Sequence, residues 1–100
     1  MEKYADTGLG DNLINEIKTM AENYGVDKLV LFGSRARGDY KIKSDIDLAF
    51  YGGDSSGFIV CLDEDVNTLL RFDVVDLNRP LDKDLRKSIE REGIIIYEKI

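Results

Sequence analysis

The sequence predicts an α/β (α+β) chain: one small mixed β-sheet of about four strands with helices packed on one face. Three observations carry this. Apolar residues recur at helical spacing from Leu13 to Tyr24, from Phe58 to Leu69 and at Leu85 and Ile89. Short apolar or alternating runs, KLVLF, SDIDLAFY, RFDVVDL and GIIIYEKI, fall between and after them. The chain has 100 residues, 43% hydrophobic and 34% charged, which suits one ordinary globular domain.

Taken in order, residues 1–11 hold Gly8 and Gly10 with little apolar pattern and read as a loose N-terminal arm, leaving 12–100 as the single domain. Leu13, Ile17, Met20, Ala21 and Tyr24 mark the first helix, capped by Asp11 or Asn12 and stopped by Gly25. KLVLFG, residues 28–33, is a continuous apolar run closed by glycine and reads as a buried strand. Residues 44–51 alternate as a second strand, and GGDSSG, 52–57, is a loop. Phe58, Cys61, Leu62, Val66 and Leu69 fit a helix, although FIVCL by itself also suits a strand. Residues 71–77 form a third strand. Pro80 and Leu81 lead into a helix over Asp82–Glu92, Gly93 ends it, and GIIIYEKI is the fourth strand. The order is α-β-β-α-β-α-β, with the helix-free face of the sheet carrying the alternating polar side chains.

Composition removes several functions. No apolar run is long enough to span a membrane, and MEKYADTGLGDN lacks the basic-then-apolar pattern of a signal peptide. Cys61 is the single cysteine, so a reducing, cytoplasmic setting is the simple reading. There is no histidine, which excludes His-dependent triads and most zinc sites. A net charge of −6 argues against broad nucleic-acid binding. The basic residues that stand out, Arg35, Arg37, Lys41 and Lys43, cluster in GSRARGDYKIKSDIDLAF.

That stretch holds the candidate site. Asp45 and Asp47 are two apart on a strand, so both carboxylates leave the same face. Two acids so arranged raise each other's pKa unless a cation lies between them. Oxygen donors of this kind select Mg²⁺, or Mn²⁺, which completes its shell with water and substrate phosphates. Gly33 and Ser34 close the preceding strand; glycine lets a phosphate approach the backbone, and a short helix starting at Ser34 would aim free amides at it. Arg35, Arg37, Lys41 or Lys43 would offset the rest of a triphosphate's charge, with solvated surface charge as the plain alternative. RFDVVDL supplies a third acid, Asp73 or Asp76. Strand alternation favours Asp73, because Phe72 and Val74 would take the helix-packed face. A third carboxylate would hold a second metal or take a proton from an attacking hydroxyl.

Other motifs fail. Gly33 and Gly38 have phosphate-loop spacing, but Asp39-Tyr40 follow where Lys-Ser/Thr is needed, and DIDLA lacks the glycine of a calcium loop.

Gly33-Ser34, then Asp45-x-Asp47, then Phe72-Asp73-Val74 resembles the nucleotidyltransferase superfamily of the DNA polymerase β type. The wording GSRARG, SDIDL, DVVDL and REGIIIYE is similar to the minimal nucleotidyltransferase subgroup, which includes MntA-like antitoxins; the likeness spans about residues 12–98. The resemblance implies a nucleotidyltransferase fold with two Mg²⁺ ions on three carboxylates, Asp45, Asp47 and Asp73, and a triphosphate on Gly33 and Ser34. It implies transfer of AMP from ATP to a hydroxyl with release of pyrophosphate, the acceptor being a tyrosine of a HEPN-domain ribonuclease toxin. A chain this short leaves little room for an acceptor domain, so the acceptor is expected on a protein partner or across a homo-oligomer. Two alternatives stand beside it: a binding module that neutralises a toxin by masking alone, and a transferase for a small molecule such as an aminoglycoside.

Overall fold

The computed structural model describes residues 7–99, so the first six residues of the expected arm and Ile100 lie outside the described residues. Eight elements follow one another: α1 (Asp11–Asn23), β1 (Lys28–Phe32), α2 (Gly33–Arg37), β2 (Ile46–Tyr51), α3 (Ser55–Asp65), β3 (Phe72–Asp76), α4 (Lys83–Glu92) and β4 (Ile94–Glu98). The four strands make one sheet in the order β3-β2-β1-β4. β1 is antiparallel to both β2 and β4, and β2 runs parallel to β3. The mixed sheet matches the expected fold class. Its parallel pair requires a crossover, which α3 supplies.

Helix starts follow local chemistry. The Asp54 side chain accepts the Gly57 amide at 3.2 Å ahead of α3, and Asp82 accepts the Leu85 amide at 3.1 Å ahead of α4. α2 is the short helix that the phosphate-site reading required, beginning at Gly33 rather than Ser34.

Alternation along the central strands divides the core in two. Leu29, Leu31, Ile46, Leu48, Phe50 and Ile96 join residues of α1 and α3, among them Ile14, Ile17, Phe58 and Leu62. Phe50 and Phe58 meet edge to face, with ring centroids 5.3 Å apart. Val30, Phe32 and Ala49 point the other way and pack with Leu77 and with Ile89 of α4, flanked by Leu81 and Leu85. Helices therefore lie on both faces, which corrects the expectation of one. A four-stranded sheet whose central strand is apolar at every position from Leu29 to Phe32 must bury both faces of that strand. α4 covers the second face only in part; the remainder, by the C-terminal end of β1, is polar.

The described part of the N-terminal arm is not loose. Thr7 and Leu9 are buried, and Leu9 belongs to the main core. The expectation failed because one leucine among glycines carries no period to read.

Candidate active site

The site forms where β1 turns directly into α2. Gly33 has φ +75°, a region that other L-residues avoid. A Cβ at this position would also collide with the Asp47 carboxylate. Glycine is thus required twice over, and the backbone passes directly beside Asp47. No side chain caps the start of α2, so its first-turn amides have no capping oxygen. At the other end, the Ser34 carbonyl accepts the Gly38 and Asp39 amides at 2.9 and 3.1 Å, which closes the loop.

β2 and β3 bring the acids together. Their parallel register sets Asp47 opposite Asp73, and Asp47 opposite Phe32 of β1 on its other side. Burial pushes the Asp47 carboxyl from 3.8 up to about 6, and the charges of Asp73 and Asp45 push the same way, while Arg37 pulls it down. Asp73 is also a hydrogen-bond partner of Asp47. Asp45 stands exposed one residue ahead of β2 and acts on Asp47 through charge. Among the described residues, no three His, Cys, Asp or Glu side chains converge closely enough to form a ready-made metal site. The acids are an opposed pair with a third nearby.

Asp76 takes a different role. Burial raises its carboxyl, but hydrogen bonds from the Asn78 backbone and side chain, at 2.9 and 2.8 Å, and Arg79 at 3.4 Å outweigh that and lower it. It organises the turn after β3, whereas Asp73 is the acid of that strand facing Asp47.

The two arginines of GSRAR part company. Two residues apart on a helix are separated by about 200°, so one points in and the other out. Arg37 is the outer one. It pairs with Asp39 at 3.1 Å and with Glu92 of α4 at 3.0 Å, and its charge still reaches Asp47. Arg35 is 2% exposed. Its guanidinium donates to the carbonyls of Thr7 (2.9 Å), Ile42 (3.2 Å) and Ser44 (3.1 and 3.0 Å) and lies 4.8 Å from the centroid of the Tyr40 ring. The expected phosphate contact from Arg35 is corrected: it has spent its donors on backbone and is sealed from solvent. It instead fixes the loop that leads into Asp45. Glu92 and the anchoring role of Arg35 were both absent from the sequence reading; the 200° offset was the one available signal. Lys41 and Lys43 are exposed on that same loop.

The donor set fits a hard divalent cation. It is made of carboxylate oxygens, and a double positive charge would oppose what raises Asp47, burial first and then the charges of Asp73 and Asp45. The Gly33 turn beside it offers close backbone approach to an anion on that cation. Such an arrangement can neutralise and align a phosphate ester.

A family model described as Polymerase beta, Nucleotidyltransferase matches residues 15–100. A Methanocaldococcus jannaschii protein assigned as a protein adenylyltransferase is 30% identical over 81 residues, covering 72% of this chain and 79% of its own length. Two solved structures share the fold. A toxin–antitoxin complex with AMP-PNP aligns with TM-score 0.69 and 21% identity, over 86% of this chain and 73% of that one. The complex of tri-AMPylated Shewanella oneidensis HEPN toxin with MNT antitoxin aligns with TM-score 0.58 and 19% identity, over 88% and 71%. No helix among the described residues is long and apolar enough to cross a membrane.

Proposed function

Because this chain belongs to the polymerase β nucleotidyltransferase family, we propose that it transfers AMP from ATP to a tyrosine hydroxyl of a HEPN-domain ribonuclease toxin and so acts as its antitoxin in the cytoplasm. The observation that carries this is the opposed pair Asp47 and Asp73 beside the Gly33 turn. The named activity of the M. jannaschii relative supports adenylyl transfer. The tri-AMPylated HEPN toxin in the Shewanella complex supports the acceptor class.

In this reading Asp45, Asp47 and Asp73 would hold two Mg²⁺ ions, or Mn²⁺. Bound there, the ions would supply neutralisation of the triphosphate and of the charge that develops on the leaving pyrophosphate. Gly33 and Ser34 seat the β- and γ-phosphates on backbone amides, and Arg37 adds a positive charge at the edge. The tyrosine oxygen attacks the α-phosphorus, its new P–O bond replacing the one to pyrophosphate. The proton lost by the hydroxyl passes to the carboxylate of Asp73, which is exposed. Asp47, held high by burial first and then by Asp73 and Asp45, would be favoured in its ionised form by a bound cation.

The test incubates the protein with Mg²⁺, α-labelled ATP and its HEPN partner. Label should appear on the partner, and be lost with Asp45→Asn/Asp47→Asn. Neutralisation without transfer would sink the enzymatic reading. It would favour masking alone, a second reading that draws on the lack of a ready-made three-acid cluster among the described residues.

A further inference from the structure

Beside the acids, two large apolar side chains face water. Leu69 is 104% exposed and Ile42 86%. A single exposed leucine needs no explanation. These two stand on the two loops that border Asp45, and Leu69 helps line a concavity of about 590 Å³ with Lys43, Asp45, Leu70 and Arg71. Asp45, the outermost of the three acids, therefore borders an apolar, cation-edged hollow.

Neither loop is slack. The Ile42 and Ser44 carbonyls are held by buried Arg35, and Ser44 ties back to Lys41 at 2.7 and 3.0 Å. On the other loop the Leu70 amide donates to the Thr68 hydroxyl at 3.1 Å, and the Arg71 carbonyl accepts the Ile46 amide at 2.8 Å. Side chains held out on pinned backbone cannot fold back to hide. Their apolar surface leaves water only when something covers it. Charge says what kind of cover. The chain carries −6 overall, yet Lys43 and Arg71, both exposed, edge this hollow, and exposed Lys41 stands two residues before Lys43 on the same loop.

We infer that Ile42 and Leu69 are the docking edge for the acceptor polypeptide. A segment bearing an apolar anchor flanked by acidic side chains seats between residues 41–44 and 66–71 and lays its hydroxyl past Asp45 toward Asp73. This rests on the transferase reading and assigns that site its protein-recognition surface. The pinned loops make the surface preformed, so its contribution is to acceptor affinity, not to nucleotide binding.

The test is Ile42→Glu/Leu69→Glu, two exposed positions at which the fold is retained; circular dichroism and thermal unfolding verify this. The probe is the purified HEPN-domain partner. Its KM as acceptor should rise at least tenfold, with kcat at saturating acceptor and the affinity for Mg²⁺–ATP unchanged. Its calorimetric Kd should rise by a similar factor. Raised salt should weaken binding of the native protein, as the cationic rim requires. An unchanged KM and Kd would overturn the inference while leaving the transferase reading intact. Absence of transfer by the native protein would overturn that reading instead; the Kd would still decide the docking edge. A native dimer that the double variant dissolves, with unaltered acceptor binding, would assign the edge to a second copy and overturn the inference.

Discussion

Asp47→Asn should stabilise the metal-free protein at neutral pH. The Asp47 carboxyl rises from 3.8 to about 6 on folding, through burial first and then through Asp73 and Asp45. A raised carboxyl pKa means that the folded state holds the proton more tightly than the unfolded chain. The group's contribution to stability is therefore fully present below about pH 3.9 and is lost as pH rises through about 6. Unscreened, that rise amounts to about 3 kcal/mol at roughly 1.36 kcal/mol per unit. Asp47 is only half-buried, and solvent screening reduces the cost to about 1 kcal/mol. For a chain of this size that is a Tm difference of roughly 4–8 °C. Thermal unfolding of both proteins in chelator, from pH 4 to pH 8, reads it directly. The two curves should meet near pH 4 and separate above pH 6 with the Asn variant higher. Mg²⁺ should raise the native Tm more than that of the variant. A native protein at least as stable as Asp47→Asn in chelator at pH 7.5 would refute the reasoning, since the acids would then be satisfied without a cation.

Three further outcomes follow from the same geometry. Gly33→Ala meets both a φ of +75° and the Asp47 carboxylate, so urea denaturation should show a loss of about 1–3 kcal/mol, together with loss of transfer. Arg35→Met strips the donor from the carbonyls of Thr7, Ile42 and Ser44 and should cost on the order of 3 kcal/mol. Hydrogen exchange over 41–45 should quicken alongside it. Arg37→Ala breaks two solvent-exposed ion pairs, so the thermal unfolding midpoint should stay where the native protein has it. An NMR titration should nonetheless find Asp47 shifted further up, because Arg37 is the charge that lowers it.

Strand alternation was the most informative part of the sequence. It put Asp47 on a common face with Asp73 and set Asp76 on the other, because a period of two leaves no intermediate choice. The same logic, carried one step further, held the second helix-covered face. Val30 and Phe32 sit between Leu29 and Leu31 in an unbroken apolar run, and α4 is what covers them. Helix geometry was equally available for Arg35 and Arg37, but their sequence context gives no sign of which turns inward; that depends on Thr7 and Tyr40 arriving from elsewhere. The burial of Leu9 was not legible, since a lone leucine between glycines has no pattern, only a destination.

Arg35 also makes the N-terminal segment part of the site without lending it a catalytic group. One guanidinium clasps the Thr7 carbonyl, the entry to Asp45 and, through its own backbone, the Gly33 turn. Whatever tugs on Thr7 is felt at the Gly33 turn and at Asp45 together. A tag, a trimmed terminus or a bound protein at that end would detune the acids without touching one of them. Labels meant to leave catalysis alone belong on the far side of the sheet, along α1 or α3.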